Sequence, residues 1–185
     1  MANLVLASVV LGRPEHAVAA ELLSFVVGGV VEVEQDAAPA WTVRLVAPGR
    51  VSTHEREALV ALFGDASAGS VVRVAPGEAA LGARLRELLA QAPVRARAAG
   101  YLEGTRGRLT EKGEALRADL VAIEDTIEAQ VQDARVHASA GEAPSASVLP
   151  WAVLFGHAPR WAHVATTFDL DGLCRVVDDL AVGDG

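Results

Sequence analysis

Few residues in this chain are of a type and spacing that could do chemistry. Five histidines, His16, His54, His137, His157 and His163, are scattered along 185 residues. No two have the i, i+4 spacing that presents two imidazoles on one helical face, so the pattern proposes no metal site. Asp169-Leu170-Asp171-Gly172 opens like a calcium loop, but the later acidic positions and the closing glutamate are missing, and an aspartate there reads as a helix N-cap. Cys174, the single cysteine, lies on an apolar stripe with no His or Asn set beside it by a local motif. A buried small hydrophobe is the expectation, and one cysteine without a disulfide partner fits a reducing cytosol. The nucleophile-elbow, phosphate-loop and dinucleotide-binding patterns are absent. The sequence therefore points away from an enzyme and calls for no cofactor.

Charge offers a second kind of chemistry. Fifteen arginines and one lysine, Lys112, stand against 24 acids, for a net charge of −8. Residues 84–117 reverse that balance, with a local charge of +4 that leaves −12 for the rest. Arg95, Arg97, Arg106 and Arg108 are the candidate nucleic-acid contacts, the last two on the wing of a winged-helix reading, where such proteins touch phosphate or the minor groove. The overall negative charge opposes a polyanionic partner.

The elements that must position these residues follow from periodicity and punctuation. A chain this long buries about 70% of the surface it exposes when extended and needs no disulfide to hold a core. Residues 4–11 read as a short buried strand, and residues 13–27 as a helix that starts at Pro14 and stops at Gly28-Gly29. Glu21 interrupts the apolar run 17–33, which leaves no credible membrane span, and no basic residue precedes residues 3–12 as a signal peptide requires. Residues 30–34 and 41–46 alternate as a hairpin. Ser52 and Glu55 form a capping-box pattern for a helix ending at Gly64. A short strand at 71–74 precedes a helix from Glu78 with Leu81, Leu85, Leu88 and Leu89 on its buried face, which Pro93 is expected to break or kink. A small hairpin spans 100–109.

Thr110 then caps the strongest helix, 111–136, which carries Leu116, Leu120, Ile123, Ile127 and Val131 on one face and Glu114, Arg117, Asp125, Glu128 and Asp133 on the other. At about 1.5 Å per residue it spans about 40 Å, longer than a compact domain of this mass requires. Residues 138–147 are a linker by composition, and 149–155, 159–168 and 170–181 read as three short helices. The fold class is α+β, helix-rich, with two winged-helix-like units and a C-terminal helical cap. The division places a first unit at 1–103, the second wing and long helix at 104–137, the linker at 138–147 and the cap at 148–185.

Two motifs carry a family resemblance. Leu149-Pro150-Trp151-Ala152-Val153, followed by Gly156, Arg160, Trp161 and Ala162, resembles the C-terminal cytosolic part of the bacterial membrane proteins of the domain of unknown function 2207 family. Leu109-Thr110 with Lys112-Gly113 and Leu116 is shared with that family and is also similar to the wing-to-helix step of MarR-like and PadR-like regulators. In the family, hydrophobic spans lie close to the Gly-Tyr-Leu segment, whereas here only residues 103–108 join it to the helix. The resemblance implies a fold and a membrane-anchored kinship, and no catalytic residue.

Taken together the sequence predicts a cytoplasmic, non-enzymatic interaction or regulatory module acting through protein–protein contacts. The alternative is a winged-helix DNA-binding regulator. The partner is a second copy of the chain or another protein, with Leu116, Leu120, Ile123, Ile127 and Val131 as the interface or as the seat of a fold-back of the C-terminal helices. Trp151, Phe155 and Trp161, three of eight aromatic residues, serve as the hydrophobic anchor of the cap or as a partner surface.

Overall fold

A computed structural model describes residues 3–37, 39–105, 107–136, 146–157 and 168–183, with the backbone alone for 130–136. The first element corrects an expectation: Leu4–Leu11 is a helix, α1, and not a strand. An eight-residue apolar run is compatible with either, and end chemistry decides it. Asn3 Oδ1 accepts a hydrogen bond from Leu6 N at 3.0 Å, and Gly12, at φ +71°, closes the helix with its N–H on Ser8 and Val9 carbonyls. Such a helix, apolar nearly all round, must be covered on several sides.

A single tight turn, Pro14–His16, leads into α2, Ala17–Val27, which ends at Gly28-Gly29 as its glycines predict. α2 packs on α1, on the strand and helix that come next in the sheet region, and most extensively on the two C-terminal helices. The hairpin β1, Val31–Gln35, and β2, Trp41–Leu45, pairs antiparallel with Val33 opposite Val43. β3, Val71–Val74, joins β2 antiparallel, giving the order β1-β2-β3. Trp41, Val43 and Leu45 are fully buried on the inner face, while Glu32 and Arg44 pair across the outer one.

Between β2 and β3 lies α3, Thr53–Phe63, whose capping box forms in both directions. Ser52 N donates to Glu55 Oε2 at 2.7 Å, and Glu55 N donates to Ser52 Oγ at 3.4 Å. Arg84 closes the other end of α3 by donating to the carbonyls of Ala61 and Leu62 at 2.9 and 3.0 Å, the cation that a helix C-terminus favours.

α4, Ala79–Ala98, runs through Pro93 without a break. The proline removes one backbone donor, but the buried Ala92 and Ala96 hold the helix against its neighbours on either side of it. The hairpin β4, Leu102–Glu103, and β5, Arg108–Leu109, follows where the sequence places it.

Thr110 then seats α5, Glu111–Val136: its Oγ1 donates to Gly100 O at 2.6 Å and accepts from Gly113 N at 3.1 Å. Lys112 donates to Ala99 O at 2.7 Å and lies 4.5 Å from the centre of the Tyr101 ring. A Cβ on Gly113 would collide with the Tyr101 carbonyl. The Thr-x-Lys-Gly pattern is thus a joint that locks the start of α5 against the end of α4.

α6, Leu149–Leu154, and α7, Leu170–Val182, are the last helices among the described residues; Asp169 Oδ1 caps α7 by accepting from Gly172 N at 2.9 Å. The helix expected over 159–168 lies outside the described residues. Buried side chains from Leu4 to Ala181 form one continuous core. The class is α+β: helix-rich, with a small antiparallel three-stranded sheet.

Candidate functional site

The face of α5 predicted to be an interface divides in two. Leu120 and Ile127 are buried against α1 and α6, and Leu116 packs at the margin of the core. Ile123 is 37% exposed, so it is not the packed position its spacing suggested. It sits about 60° around the helix from Leu120, past the edge of what α1 and α6 cover. The side chain of Val131 lies outside the described residues.

Ile123 instead forms a wall of a cleft of about 860 Å³. The start of α1 supplies Leu4 and Leu6 to it, α2 supplies Glu21, Ser24 and Val27, and α3 supplies His54 and Glu55. Tyr101 closes one end, while Val148, Pro150 and Trp151 from the approach to α6 form the rim. Trp151 is half-buried and stacks on the buried Phe155 with ring centres 6.2 Å apart. Phe155 is thus buried in the core, while Trp151 lines the cleft. Trp161 lies outside the described residues.

At the floor stands a group that the sequence did not single out. Glu21, in the middle of α2, is 2% exposed, and its Oε1 has no hydrogen-bond partner. Its carboxyl accepts the backbone N–H of Leu4, a first-turn donor that α1 leaves free. Burial, reinforced by the charge of Glu55, pushes the Glu21 pKa up to about 8 against the pull of that hydrogen bond. The carboxyl is thus mostly protonated at neutral pH. The one signal for it in the sequence is a lone carboxylate inside an apolar run.

A second polar cluster joins the chain's two ends. His16 Nδ1 lies 2.9 Å from Asp178 Oδ2, and Cys174 lines the same small pocket. The hydrogen bond with Asp178 holds the His16 pKa above its usual value, outweighing burial. A histidine, an aspartate and a cysteine so placed invite comparison with a nucleophilic site. Yet Cys174 is 4% exposed, and burial, with Asp178, Asp171 and Asp169 nearby, pushes its thiol far above the ordinary range. That is the reverse of the electropositive setting that activates a thiolate. Nearby, Arg13 ties the start of the chain to α5 through Glu124 at 2.7 Å and to Phe155 O at 3.2 Å. Among the described residues no three His, Cys, Asp or Glu side chains are grouped to hold a metal ion.

Among the described candidate arginines, two are already paired with glutamates. Arg95 pairs with Glu57 at 2.6 Å, and Arg108 pairs across its hairpin with Glu103 at 2.8 Å. Arg97 is exposed on α4, and Arg106 lies outside the described residues. No helix among the described residues is long and apolar enough to cross a membrane. No family model, curated protein or solved structure matches this chain, and the family resemblance rests on its two motifs alone.

Proposed function

We propose that the chain is a non-enzymatic interaction or regulatory module, cytoplasmic, that works through protein–protein contacts where α5 borders the cleft. The observation that carries this reading is Ile123. It is a large apolar residue in the middle of a long helix, 37% exposed, between the buried Ile127 and the half-buried Trp151. Exposed apolar surface around a concave centre is what protein partners cover. The partner is a second copy of this chain, meeting α5 at the edge of the cleft: α5 exposes Ile123 and, on another side, Val121, and a long helix with exposed apolar residues suits a two-fold pairing of identical faces.

The order of elements supports the winged-helix-like reading: α2 precedes the hairpin β1–β2, and α4 precedes the hairpin β4–β5, which leads into α5. In regulators built this way the helix after the wing pairs the subunits. The DNA-binding alternative draws less support, since Arg95 and Arg108 already spend their charge on glutamates and the chain carries −8 overall.

Sedimentation velocity over a range of concentrations tests the proposal. A dimer that Ile123→Glu converts to a monomer with an unchanged melting temperature supports it. A wild-type chain that stays monomeric at about 100 µM contradicts it.

A further inference from the structure

The cleft has a chemical polarity that self-association does not use. Its walls are apolar at Ile123, Ile127, Val148 and Trp151, and the charged groups that line it are carboxylates, Glu21 and Glu55. Among the described residues no arginine or lysine lines it. Glu21 is buried at the floor with Oε1 unpartnered while its carboxyl takes the Leu4 N–H. A buried polar atom without a partner is costly in a folded chain, so a ligand that supplies the missing donor recovers what the empty site loses.

The remaining surroundings narrow the donor. Of the elements packed on α2, α1 and α6 carry no charged side chain, and α3 contributes His54 and Glu55 to the cleft, while the charged residues of α7, Asp171, Arg175, Asp178 and Asp179, line a different pocket, with Arg175 paired to Asp171. At the N-terminal end of α2, His16 and Asp178 are paired with each other, and on β1 Glu32 and Glu34 are exposed. The potential at the floor is therefore negative, which favours a cationic donor over a neutral one and rejects an anion. The volume, about 860 Å³, lies within the range of roughly 300–1,000 Å³ that small-molecule sites occupy.

We propose that this cleft binds a small organic monoamine, with the ammonium on Glu21 Oε1 and the apolar body between Ile123 and Trp151. The proposal goes beyond self-association and does not depend on it, since every group it uses belongs to one chain. Protons balance as follows: an alkylammonium meets the protonated Glu21 carboxyl, the carboxyl proton passes to solvent, and an ammonium–carboxylate pair remains. Binding at neutral pH thus releases a proton, and binding above the Glu21 titration does not.

Calorimetry on the full chain tests this with hexylamine, 2-phenylethylamine and tryptamine, alongside 2-phenylethanol and 3-phenylpropionate. Two buffers of different ionisation enthalpy report the proton count. The proposal expects at least one amine to bind about tenfold or more tighter than the alcohol, with no binding of the carboxylate. It expects most of one proton to be released at about pH 7, and the release to vanish at about pH 9. Glu21→Gln, which keeps an acceptor for Leu4, should erase both the amine preference and the proton release. Ile123→Ala should weaken amine and alcohol alike. Absence of binding by all three amines up to about 10 mM overturns the proposal, as does an amine affinity equal to that of the alcohol or unchanged in Glu21→Gln. Sedimentation of the same samples separates this outcome from a failure of self-association.

Discussion

Replacing Glu21 by Gln should stabilise the protein, and increasingly so as pH rises. Gln is nearly isosteric with the protonated acid and still accepts the Leu4 N–H, so the two chains differ mainly in whether the side chain can ionise. The carboxyl titrates at 4.5 when free and at about 8 in the fold. Below 4.5 it is protonated in both states and contributes no difference. Between those values the unfolded chain has lost the proton that the folded chain keeps, so stability falls as pH rises, by about 1.4 kcal/mol per pH unit. The penalty reaches about 3 kcal/mol at about pH 7 and levels off at about 5 kcal/mol above the folded titration. Glu55, whose charge raises the Glu21 pKa, remains in the variant, and the His16–Asp178 pair is common to both chains and cancels in the difference. Urea denaturation of both chains at about pH 4.5, 7 and 9 measures the gap. A gap that opens with pH confirms that the carboxyl is buried without a counter-charge. A constant gap, or a variant less stable at every pH, refutes the reasoning.

Other perturbations have definite outcomes. Gly113→Ala should destabilise by about 2 kcal/mol or more, read by thermal melting, because its methyl would collide with the Tyr101 carbonyl. Phe155→Ala should cost about 3–5 kcal/mol in urea denaturation, and Trp151→Ala distinctly less, since Phe155 is 4% exposed and Trp151 is only half-buried. Asp178→Asn should lower the His16 pKa toward 6.5, followed by NMR of the imidazole. Because the folded His16 pKa is raised, the stability it contributes is present below 6.5 and is lost as pH climbs through the folded value.

What could be read from the sequence was what local chemistry dictates. The Ser52–Glu55 box, the Thr110 cap with α5 behind it, the Asp169 cap of α7 and both hairpins are set by residues a few positions apart, and they form as read. The misreadings came where tertiary context decides. Residues 4–11 carry no periodicity that separates strand from helix, and the Asn3 cap settled the matter. Of the two described tryptophans, the clustered Trp151 drew attention, yet Trp41, in an alternating strand, is the one that is fully buried. Glu21 showed itself in the sequence as the interruption of an apolar run. Its burial depends on α1 and α3 closing over it, and only the assembled fold places Glu55 and Ile123 around the same cleft.

The central claim, that the Ile123 face is where this chain meets a second copy, is tested most directly by a single introduced thiol. Cys174 is buried and its thiol is held protonated, so it stays silent under mild oxidation. Ile123→Cys should then form a disulfide-linked dimer, because residues near a two-fold axis face their own counterparts. Arg44→Cys, exposed on the outer face of the sheet, should form no disulfide-linked dimer under the same oxidation. Equal cross-linking of the two variants, or none at Ile123→Cys, would contradict the claim.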